Sequence, residues 1–71
     1  MDEKARRVLN LFAQMQSDTL DLHMLFEAGG NDPASREEVI ETVARLVAEG
    51  LLEGRGSDFY ALTARGREAI R

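Results

Sequence analysis

Glu37 and Glu41 stand four residues apart, as do His23 and Glu27, and on a helix each pair would bring two ligand-type side chains to one side. A divalent ion needs more donors than either pair supplies, and neither neighbourhood offers them. The simpler reading, a solvated helix face, is preferred for both. Ser17, Ser35 and Ser57 sit where capping and turn chemistry already explains a hydroxyl, so no nucleophile stands out. His23 would need an oriented partner and a pocket to act as a base. The glycines at 29, 30, 54 and 56 lack the GK[ST] ending of a phosphate loop. With no cysteine there is no disulfide, thiolate zinc site or thiol nucleophile. The expectation is a non-enzyme with no cofactor and no metal.

The elements that carry these residues form one small unit. The chain has 71 residues, 44% of them hydrophobic and 31% charged, a composition that folds. A domain near this size buries only about 60% of the surface its unfolded chain exposes, so its core is small. The opening "MDEKARRVLN" is charged where a secretory signal would be apolar, and the longest apolar run is the four residues Phe59 to Leu62. A soluble, cytoplasmic protein with no membrane association is expected.

Ala5, Val8, Leu9, Phe12 and Met15 recur at helical spacing and predict a first helix over 2–16. Leu11 widens that stripe beyond what one small core needs, which leaves room for a homodimer through helix 1. "SDTLDLHMLFEAGG" predicts a second helix over 19–28, capped from Ser17, Asp18 and Thr19 and stopped by the glycine pair in a left-handed turn. "NDPA" is turn chemistry, and Ser35 with Glu38 makes an S-x-x-E capping box for a third helix over 35–49. Its inward ladder is Val39, Ile40, Val43, Leu46 and Val47; its exposed arc holds Glu37, Glu38, Glu41, Thr42, Arg45 and Glu49. "LLEGRGSDFYALT" predicts a β-hairpin over 51–63, with Tyr60 and Leu62 inward and Phe59 outward by alternation. Thr63 caps a final helix over 64–70, which Gly66 weakens.

Two stretches resemble a known family. "SREEVIETVARLVAEGLLE" is similar to the turn-and-recognition-helix run of winged helix-turn-helix domains, with Ser35, Val39, Leu46, Gly50 and Leu51 at the matching places. "YALTARGREAI" resembles the exit of the wing in many bacterial transcriptional regulators, through Tyr60, Leu62, Thr63 and Gly66. The resemblance implies a small α+β winged helix and a DNA-binding regulator. Two departures are visible: a link between helices 2 and 3 longer than the usual turn, and Pro33 where many relatives carry glycine.

In such domains the third helix lies in the major groove while flanking bases hold phosphates. Here residues 18–50 carry eight acids and two bases, a net −6, within a chain of net charge −4. Glu41 and Glu49 are placed to answer Arg45 within the helix, in pairs worth about 0.2–0.5 kcal/mol each. Glutamate can accept from cytosine N4, but four of them would meet repulsion from phosphates. Double-stranded DNA, if bound, is therefore expected to meet the wing and Arg36, with Arg55 and Arg65 as further contacts. The alternative is a protein partner on the acidic face of Glu37, Glu38, Glu41, Thr42 and Arg45, or at an outward Phe59.

Overall fold

In the computed structural model, which describes residues 2–71, the order of elements is α1 (Glu3–Met15), β1 (Thr19–Asp21), α2 (Leu22–Gly29), α3 (Pro33–Ala48), β2 (Leu52–Gly54), β3 (Phe59–Leu62) and α4 (Ala64–Ala69). Helices pack on a three-stranded antiparallel sheet of order β1-β3-β2, a small α+β fold compatible with a winged-helix-like arrangement.

α1 starts where Asp2 accepts the Ala5 N–H at 2.8 Å, and its stripe of Ala5, Val8, Leu9 and Phe12 is buried. Met15, the last member of the expected stripe, is exposed instead, and Leu11 is only partly buried. Met15 is the last residue of α1, at the edge of the packed part of the helix.

The second helix begins later than its capping residues suggested. Thr19–Asp21 form a strand, because β3 lies alongside and pairs Thr19 with Ala61, Leu20 with Tyr60 and Asp21 with Phe59. Asp21, rather than Ser17, Asp18 or Thr19, caps α2 by accepting the Met24 N–H at 2.9 Å. At the far end Gly30 leaves the helix at φ 110° and ψ 147°, which is not the expected left-handed turn but still favours glycine.

α3 starts at Pro33 rather than Ser35. Asp32 is its cap and accepts the Ser35 N–H at 3.2 Å, while Pro33, which has no N–H to leave unsatisfied, opens the first turn. The expected Ser35–Glu38 box is thus displaced by one cap three residues earlier. Val39, Val43 and Leu46 enter the core beside Leu9, Phe12, Leu25, Leu52 and others.

The hairpin gains a third strand through β1, so the sheet is wider than a two-stranded wing. Between β2 and β3 the loop turns through positive φ at Gly56, Ser57 and Asp58. Thr63 then caps α4, accepting the Gly66 N–H at 3.0 Å and donating its hydroxyl to the Gly50 carbonyl at 2.7 Å. Gly66 does not merely weaken this helix. It lets α4 approach Leu51, whose carbonyl oxygen would lie 2.3 Å from an added Cβ.

Gly66→Ala should therefore cost about 1–3 kcal/mol through overpacking, read as a lower urea midpoint. Gly54→Ala, where an added Cβ meets nothing within 4 Å, should leave the midpoint nearly unchanged. Equal effects would show that the approach at Leu51 is not tight.

Candidate partner interface

Asp2 joins the start of α1 to the middle of α3. One carboxylate oxygen takes the Ala5 N–H, and the other takes Arg45 Nη2 at 2.7 Å. Arg45 thus pairs with a residue 43 positions away rather than with Glu41 or Glu49, because α1 packs directly beside α3. Lys4 pairs with Glu38 across the same seam. Thr42, expected on the exposed arc, is buried at 4% exposure under this seam. Thr42 lies among the side chains of both pairs, which border the same surface depression.

The remaining expected contacts are scattered. Arg36 lies over the Phe26 ring, 4.8 Å from its centroid, and its Nε donates to Asn31 Oδ1 at 3.2 Å. Arg55, in the hairpin loop, pairs with Glu53 at 3.2 Å. Arg65 stands on α4 near Gly50, toward the far end of α3. Phe59 is exposed at 42% and borders a surface depression with Leu22, His23 and Phe26. Glu37 and Glu41 are exposed and joined to no base among the described residues.

Pairing leaves an uneven remainder. Arg7, Arg67 and Arg71 are answered by Glu3, Asp18 and Glu68, in addition to the pairs of Lys4, Arg45 and Arg55. Among the described residues only Arg6, Arg36 and Arg65 are bases outside an ion pair. The acids outside one are Asp21, Glu27, Asp32, Glu37, Glu41, Glu49 and Asp58, all in the middle of the chain. Exposed pairs contribute little stability, but each lowers the positive charge free for a phosphate.

One surface was missed by sequence reasoning. Ile40 and Val47, expected in the core, are exposed at 48% and 37%. With Leu22, Ala44, Gly54 and Tyr60 they line an open, mainly apolar depression of about 290 Å³ between α3 and the hairpin. Leu22 also borders the depression at Phe59 and so stands between the two. A signal was present: at 100° per residue, Ile40 lies about 120° around the helix from Leu46, too far for both to face one small core. Among the described residues no three acids or histidines gather as a metal site would require, and no helix is long and apolar enough to cross a membrane.

Compared with protein-family models, curated proteins and solved structures, the chain matches none of them.

Asp2 titrates below the ordinary 3.8, chiefly because of the Ala5 N–H and then the Arg45 guanidinium; the Ser35 hydroxyl and N–H do the same for Asp32. A carboxyl held down in the folded state adds stability above its unfolded value, and that share is lost as pH falls through the folded value. The native protein should therefore lose stability on acidification below pH 3.8 more steeply than Asp2→Asn, which retains a cap but not the charge. Parallel curves of urea midpoint against pH would refute the lowered titration of Asp2.

Proposed function

We propose that this chain is a non-enzymatic winged-helix module of the regulator type that works by binding another protein through α3 and the adjoining hairpin. The observation that carries this reading is the apolar depression around Ile40 and Val47. Exposed apolar groups that lie together, rimmed by polar ones, mark contact surfaces, whereas single exposed residues are ordinary. The rest of the helix offers a phosphate lattice little: Arg45 is engaged by Asp2, and Glu37 and Glu41 point away from the core.

DNA binding is the second reading. It draws on the order of the elements and on Arg36, which lies in the first turn of α3 and is in no ion pair among the described residues. In that mode Arg36, Arg55 and Arg65 would hold phosphates, at a shallow angle that keeps the glutamates from the backbone.

Two measurements separate these readings. A photo-crosslinking residue at position 40 should capture a protein in the host cell that the same residue at position 68, on α4, does not. Capture from neither position would count against the protein-binding reading. Duplex DNA should bind weakly or not at all near 10 mM salt, where screening reaches only beyond about 30 Å. Tight, salt-dependent binding that Arg36→Gln and Arg55→Gln remove would establish the second reading instead.

A further inference from the structure

The chemistry of the apolar depression and its surroundings also says what kind of partner it suits; this rests on the protein-binding reading above. Ile40, Ala44 and Val47 form a strip two turns long, with Leu22, Gly54 and Tyr60 as the opposite wall. Ala44 is small and exposed at the middle of the strip, so another backbone can come close there. Glu37 and Glu41, three residues before Ile40 and Ala44, stand on the outward side of the strip at helical spacing; Glu41 also borders the seam depression of Asp2, Lys4 and Arg45, and neither glutamate is in an ion pair among the described residues. Arg36, about one turn before Ile40 on α3, is occupied by the Phe26 ring and Asn31.

The geometry points to a cationic amphipathic helix from another protein as the occupant. Its apolar side chains, one turn apart, would settle between α3 and the hairpin, and its Lys or Arg residues at the same spacing would meet Glu37 and Glu41. Charge complementarity argues against a second copy of this chain. The chain has a net charge of −4, and across a two-fold contact here Glu37 and Glu41 would meet the same carboxylates of the other copy. Opposite charge in the partner also speeds encounter, because the field of the acidic segment reaches beyond the contact itself.

The probes are a synthetic helical peptide of Leu and Lys in amphipathic order and its counterpart with Glu in place of Lys, each titrated against the full chain and followed by amide shifts and fluorescence anisotropy. The Lys peptide should bind, move the amide signals of Leu22, Ile40, Ala44, Val47 and Tyr60, and weaken as salt rises. Glu37→Gln together with Glu41→Gln should weaken it about three- to tenfold, the scale of two exposed charge pairs. Ile40→Ser with Val47→Ser should abolish binding while the far-ultraviolet spectrum stays native. The Glu peptide should not bind.

Equal binding of both peptides at this surface, or no effect of the glutamine pair, would overturn the cationic assignment and leave protein binding itself standing. Shifts elsewhere on the chain, or none with either peptide, would overturn the assignment of this surface as well. Self-association of the free chain that Ile40→Ser removes would show that the occupant is a second copy.

Discussion

The seating of Val39, Val43 and Leu46 in the core sets the rotation of α3 about its own axis, and most of the molecular surface is arranged by that rotation. Each such side chain contributes about 1.5–3 kcal/mol when buried, far more than any exposed ion pair on the same helix. α3 also touches α1, α2 and β2, so it cannot turn without disturbing all three. Once its inward ridge is fixed, Thr42 is carried under the seam with α1, and Ile40 and Val47 are carried out toward the hairpin. Neither placement reflects the preference of the residue concerned; both follow from its neighbours on the wheel.

The charges follow the same logic. α1 lies along one flank of α3 and brings Asp2 and Lys4 to Arg45 and Glu38. That flank is thereby neutralised. On the outward ridge Glu37 and Glu41 join no ion pair among the described residues, although Glu41 borders the same seam as Lys4 and Arg45. An acidic protein can still bind DNA where bases are gathered, but here the three bases outside ion pairs among the described residues are spread over three helices, α1, α3 and α4.

How much of this was legible depended on the range of the interactions. α1 and α3 were legible because thirteen and sixteen residues give a 3.6-residue period several turns to appear. Thr63 as a cap was legible because its bond to Gly66 is local. β1 was not, since three residues carry no period and the partner that makes them a strand lies at the other end of the chain. Local capping types at Ser17, Asp18 and Thr19 pointed to a helix, and tertiary pairing overrode them. The partner of Arg45 was hidden for the same reason. Of the candidate site, the acidic ridge could be read directly, whereas the apolar strip beside it was concealed by treating every apolar residue of α3 as core.

The sheet order has a consequence for how the molecule comes together. β3 is the middle strand and pairs with both others, yet it is the last strand in the chain. Thr19 has no ladder partner until Ala61 has been synthesised, so β1 cannot be stabilised by any intermediate that lacks the C-terminal segment. The β2–β3 ladder is local in sequence, whereas Leu20 pairs only with a residue forty positions on, so the two ladders differ in the loop each must close. A chain cut short before β3 would lose both ladders at once.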